Sequence, residues 1–267
     1  MSWREELYHH GVKGMRWGVR RYQNKDGTLT AKGKKHLNKL YNKDKATKQA
    51  FERKAEHTRQ SLESSGVKIG DEYDVIPKGT SIGRFSSHDE GIDSKRKYAF
   101  VTHEDEESYA FWIKTGQLLT DSADKYQLYM DAKKDIKVAK GKEVVDYLLA
   151  SMESGVGSDN ETLKQMKAFI DANEIAPGLR QMDTSKLSNK DKQFVQYLDN
   201  GRKIYRKINT AAIAKDSPVS DAVFNHFKSK GYDAIVDMED VLGGVEYPII
   251  LLNPKESVTL KDRIKYT

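Results

Sequence analysis

The chain contains no cysteine. That absence excludes a disulfide framework, a thiolate nucleophile and any cysteine-ligated metal. It also lacks an apolar run long enough for a bilayer-crossing helix, so no membrane partner is expected. The first residues, Met1-Ser2-Trp3-Arg4-Glu5-Glu6, carry acids where a signal peptide carries base, and no apolar stretch follows them. Synthesis in the cytoplasm is the expectation. Three compact signatures are missing as well: the G-x-x-x-x-G-K-S/T phosphate loop, the G-x-S-x-G elbow and the H-E-x-x-H zinc motif. Acids are scarce in one region. From His9 to Arg59, 15 lysines and arginines face 4 aspartates and glutamates, a surplus of 11 in a chain whose net charge is +6, so the remainder is mildly acidic. A basic front on an acidic body points to DNA or an acidic protein surface, or else to a helix kept soluble by lysine.

What is present fits a lean-cored chain of 267 residues, 37% hydrophobic and 32% charged, which is one large domain or a modest domain with an appendage. The densest stretch is His9-His10-Gly11-Val12-Lys13-Gly14-Met15-Arg16-Trp17-Gly18-Val19-Arg20-Arg21-Tyr22. Three glycines weaken any helix there. Trp, Tyr, Met and Arg are the residues enriched at interface cores. A segment this short cannot bury its own aromatics, so His10, Met15, Arg16, Trp17, Arg20, Arg21 and Tyr22 are candidate docking residues. Tyr8, Trp17 and Tyr22 among basic side chains also suit stacking on single-stranded nucleic acid.

Further along, Asp26-Gly27 signals a turn and Thr30 an N-cap. Leu37, Leu40, Tyr41, Phe51, Ala55 and Leu62 follow at helical spacing, with Asp44 a possible break and Ser64-Ser65-Gly66 an end. Short strands are predicted at 73–76, 81–85 and 97–102, with Thr102 capping an acidic helix that has Tyr109, Trp112 and Ile113 on its inner face. One or two strands are expected over 126–138, helices over 144–152, 162–172 and 190–208, and a further helix over 219–230 closed by Gly231. Strands at 232–237 and 247–252 complete the pattern. The reading is α+β: an extended segment and basic helix over 1–66, then a mixed α/β domain over 67–267 with a helical insertion at about 142–214.

Two resemblances add to this. His9 to Tyr22 and the continuation Asn24-Lys25-Asp26-Gly27-Thr28-Leu29-Thr30 resemble a signature of tailed-phage and prophage proteins, H-G-V-K-G-M-K/R-W-G-V-R-R-Y followed by N-x-D-G-T/S-L-T. This implies a phage-encoded, virion-associated chain made in the bacterial cytoplasm, whose partner is a head, portal or tail protein. Residues 70–105 and 217–260 resemble the ADP-ribosyltransferase fold through Gly79-Thr80-Ser81-Ile82-Gly83-Arg84, the aromatic strand ending in Thr102, and the Gly231-Tyr232-Asp233-Ala234-Ile235 strand. That resemblance implies NAD as cofactor if the domain is enzymatic, with Arg84, Thr102 and Tyr98 as cofactor-binding residues and Glu246 as the catalytic acid. The family pattern sets its glutamate directly before the apolar run. Here Pro248 stands in that place, and Glu246 lies two residue rises away, roughly 6–7 Å. A non-catalytic domain of this fold is therefore the expectation, with an NAD-dependent transferase effector and a nucleic-acid binder as alternatives.

The remaining candidates have bland readings. Asp237, Glu239 and Asp240 share one loop but lack the spacing of a calcium loop. His9, His10, His36 and His57 form no recognisable ligand set, so no metal is expected.

Overall fold

The computed structural model describes residues 21–86, 91–92, 97–116, 119, 124–156, 161–209, 218–237 and 245–265. Among these residues the protein is a mixed α/β structure with eight α-helices and two sheets. They fall into two compact units. One joins the chain up to Lys54 with Leu149–Ile208, and the other joins Ala55–Leu148 with Asn209–Thr267.

The first unit is helical. Helix α1 (Ala31–Lys43) starts at Thr30, whose side chain accepts the Gly33 N–H, so one of the orphan donors of the first turn is satisfied. It stops at Asp44, whose side chain accepts the Thr47 N–H and opens helix α2 (Lys45–Ser64). The predicted break is therefore real, and a change of cap causes it. Helix α4 (Gly141–Val156) leads into α5 (Glu161–Ile175), a 3-10 turn at Leu179–Gln181, and α6 (Asn189–Asn209). Leu37, Leu40 and Tyr41 of α1 are buried against Ala168, Ala172, Leu179, Phe194 and Leu198. Residues 21–54 thus share a core with 161–208, and the unit boundaries fall after Lys54 and Leu148 rather than at 66 and 142. The apolar stripe of α1 is thin because its core partners arrive more than 120 residues later.

The second unit carries the sheets. Its strands are β1 (Tyr73–Ile76), β2 (Ser81–Ser86), β3 (Lys97–Ala99), β4 (Tyr126–Ala132), β5 (Ile136–Ala139), β6 (Ala234–Val236), β7 (Ile249–Leu251) and β8 (Val258–Lys265). Helices α3 (His103–Lys114), α7 (Pro218–Ser229) and α8 (Pro254–Ser257) lie between them. The five-stranded sheet runs β1-β5-β6-β7-β3, and the three-stranded sheet runs β2-β4-β8. Only β5 and β6 pair in parallel among the described strands. A parallel pair needs a crossover, and the chain between Ala139 and Ala234 supplies it. Alternation assigns the two faces. Ala234, Val236, Ile249 and Leu251 join Ile82, Met130 and Val258 between the sheets. Ile235 and Ile250 turn to the other face and meet Val144, Leu148, Phe224 and Phe227 of α4 and α7.

Two elements differ from expectation. The strand predicted at 97–102 ends at Ala99, and Phe100 instead bridges to Gly83 of β2 through reciprocal 2.9 Å backbone bonds. Strand β8 has no counterpart among the predicted strands, since Lys261, Asp262, Arg263 and Lys265 leave it little apolar alternation. Their strand is exposed beyond its first residues yet pairs with β4 along its length.

Candidate functional site

The turn ahead of β7 gathers a connected set of buried polar groups of the second unit. Thr102 caps α3 by accepting the Asp105 N–H at 3.2 Å. Asp105 is fully buried, and its two carboxylate oxygens accept the N–H groups of Glu246 at 2.6 Å and Tyr247 at 2.8 Å. The Tyr247 hydroxyl donates to Asp74 at 2.8 Å, and Lys140 pairs with the other Asp74 oxygen at 3.2 Å. Glu246 Oε1 lies 2.9 Å from His57 Nδ1 on α2, with the Glu246 side chain 11% exposed and its Oε2 buried without a hydrogen-bond partner among the described residues. Four residues from His57 on the same helix, Ser61 donates to Glu104.

Burial drives the electrostatics. It raises Asp105 to about 6 against the pull of the two amides and Thr102. The hydrogen bond that the His57 ring donates to Glu246, with the charge of that carboxylate, raises His57 above its ordinary value. The Ser61 hydrogen bond holds Glu104 below the usual carboxylate range. Burial, then the Asp74 charge, raises the Tyr247 hydroxyl.

Of the residues predicted to bind cofactor or catalyse, Thr102 and Glu246 are brought together through Asp105. Arg84 on β2 sends Nη1 to the backbone carbonyl of Tyr98 at 3.1 Å. The Tyr98 ring packs with the cluster formed by Val223, Phe224 and Ile250, on the helix-covered face of the five-stranded sheet. That position is a correction, since strand alternation turns the ring away from the Glu246 turn. Asp105 and His57 were missed as site residues. Asp105 reads as one more first-turn acid, and the only available signal was its position three residues after Thr102.

His36 bonds Asp191 at 2.8 Å in the helical unit, while His57 belongs to the other unit. Among the described residues no group of three His, Asp or Glu side chains is placed to hold a metal. Asp237 is buried, with its N–H donated to the Pro248 carbonyl. Glu239 and Asp240 lie outside the described residues.

So do docking candidates His10, Met15, Arg16, Trp17 and Arg20. Arg21 is exposed, its guanidinium 5.7 Å from the Tyr22 ring centroid. Tyr22 is 5% exposed, stacked on His36 at 4.6 Å and against Phe194 at 4.9 Å. Its surface is consumed within the chain, so it is not a docking residue. The nine residues from Tyr22 to Thr30 form a closed loop. The Thr30 N–H donates to Tyr22 O at 2.9 Å, and Asn24 N–H donates to Thr28 O at 2.8 Å. Asp26 Oδ1 accepts both the N–H and the hydroxyl of Thr28, at 3.0 and 2.7 Å. Buried Gln23 donates to Lys164 O at 3.2 Å and Tyr197 Oη at 2.8 Å, while Leu29 N–H donates to Asp171 at 2.8 Å.

Residues 2–24 match a family of unknown function (DUF7211). No curated protein and no solved structure matches the chain. The matched segment ends inside this loop, at the first residues that the helical unit holds.

Proposed function

We propose that this chain is a phage or prophage virion-associated structural protein. It docks on a head, portal or tail component through its N-terminal signature and carries a non-catalytic domain resembling the ADP-ribosyltransferase fold. One observation carries the docking reading. The second half of the signature, Tyr22 to Thr30, is bonded into the helical core, which makes Arg21 a fixed attachment point for the residues before it. A fixed anchor beside exposed Arg21 lowers the ordering cost of docking.

The absence of catalysis is supported at Glu246. One of its oxygens is held by His57, and the other is buried. Arg84 Nη1 goes to a backbone carbonyl, and the Tyr98 ring is turned to the opposite face. These residues fit NAD poorly. The reading is tested with Trp17→Ala: incorporation into virions is lost while circular dichroism of the purified protein is unchanged, and retained incorporation refutes it.

The alternative, an NAD-dependent transferase effector, is favoured by one observation, the union of Thr102 and Glu246 through Asp105. Incubation with labelled NAD, beside Arg84→Ala and Glu246→Gln controls, separates the readings. Label transfer by the wild type that both variants abolish supports the enzyme.

A further inference from the structure

Helix α1 carries five lysines and no acid. Lys34 pairs with Asp171 at 3.5 Å. The other four, Lys32, Lys35, Lys39 and Lys43, are exposed and make no ion pair among the described residues. Their spacing of three, four and four residues sets them on one helical face, opposite buried Leu37, Leu40 and Tyr41. The stripe is about 16 Å long at 1.5 Å per residue.

This arrangement works against the helix that carries it. Lys32 sits in the first turn, where the dipole repels cations and no acid compensates. Lys35 to Lys39 and Lys39 to Lys43 are like-charge neighbours one turn apart, which destabilise a helix. The same chain balances charge elsewhere, as where Arg59 bonds Glu56 and Glu63, both at 2.7 Å. Only Lys43, in the last turn, is favourably placed with the dipole, and a charge pattern that otherwise costs stability marks a surface kept for a partner.

The face also says what kind of partner. Lysine is depleted at protein–protein interface cores, and the large exposed hydrophobics of the described chain, Ile69, Tyr73, Phe111 and Ile264, all lie elsewhere. Without aromatics on the stripe there is nothing for unpaired bases to stack on, which disfavours a single strand. Lysine ammonium groups are point charges suited to a phosphate backbone and carry no base-reading geometry. We infer that the Lys32-Lys35-Lys39-Lys43 face of α1 binds the phosphate backbone of duplex DNA without sequence preference. This surface is separate from the docking signature and does not depend on that reading.

The test is a salt titration of the full chain with a random-sequence DNA duplex about 30 base pairs long, followed by fluorescence anisotropy. Four phosphate contacts contribute a slope of about −3.6 in log K against log salt. The variant with Lys32→Gln, Lys35→Gln, Lys39→Gln and Lys43→Gln keeps helix-forming side chains, and circular dichroism checks its fold. Its slope is expected to be shallower by about 3 to 4. Arginine at the same four positions is expected to restore the wild-type slope. An unchanged slope in the glutamine variant, or no duplex binding by the wild type at about 50 mM salt, overturns the proposal. So does tighter binding of a single strand or of polyglutamate than of the duplex.

Discussion

Asp105 accepts two backbone amides with one carboxylate inside a core that disfavours its charge. Its folded value of about 6 lies above the ordinary 3.8, so between those limits the folded protein holds the proton more tightly than the unfolded chain. The sign follows: stability from this group is highest at about pH 4 and falls as pH rises to about 6, by on the order of 3 kcal/mol for a shift of about two units. Asp105→Asn removes the titration, although its amide NH2 cannot accept the second of the two backbone N–H groups, so its stability is lower overall. Urea unfolding should therefore show a smaller loss of stability between pH 4 and 7 in Asp105→Asn than in the wild type. His57 behaves in the opposite sense. Its value is raised by Glu246, so the pair stabilises below the ordinary 6.5 of histidine and the contribution is lost as pH climbs through the folded value. In Glu246→Gln the His57 ring resonances, followed by NMR, should titrate closer to 6.5 than in the wild type. An unmoved midpoint would place the source of the shift elsewhere.

At the scale of elements, the loop from Tyr22 to Thr30 sets the tolerance of the helical unit. Gly27 has φ of +100°, and a Cβ there would lie 2.4 Å from the Lys164 Cα. Gly33, in the first turn of α1, would bring a Cβ within 2.3 Å of the Tyr22 carbonyl oxygen. Neither obstacle is a flexible side chain, so Gly27→Ala and Gly33→Ala should each cost about 2–4 kcal/mol, read as a fall in the urea midpoint. Tyr22→Ala should cost about 3–5 kcal/mol by loss of a buried ring. Much of this element level was legible in the sequence. Asp26-Gly27 marked the turn, Thr30 the cap and Asp44 the break, since each acts through its immediate neighbours. The strands at 73–76, 81–86 and 249–251 were legible from apolar residues with clear stops. The internal burial of Tyr22 was not legible, because the ring is covered by His36 and Phe194 and the second partner lies 172 residues away. Asp105 was hidden for the same reason, its amide partners lying 141 and 142 residues on. Helix α1 was legible as basic, but only the buried side of the helix identifies which lysines share its open face.

Over the whole molecule, both compact units are built from two separated chain segments. Residues 1–66, which the sequence alone marks as an appendage, therefore lack the partners of Leu37, Leu40 and Tyr41. Expressed alone, this fragment should show little of the helicity it has in the full chain, measured by circular dichroism; helix content at full-chain level would contradict the shared core. The same division bears on biosynthesis. The loop from Tyr22 to Thr30 is anchored on α5 and α6, which leave the ribosome about 120 to 165 residues after α1. At roughly 5–20 residues per second, the interval from Lys54 to Ile208 is about 10–30 s. For that interval the nascent loop from Tyr22 to Thr30 has no core to enter, and Tyr22 and Leu29 stay open to chaperones. Only a chain synthesised past Ile208 completes the helical unit and fixes the loop from Tyr22 to Thr30.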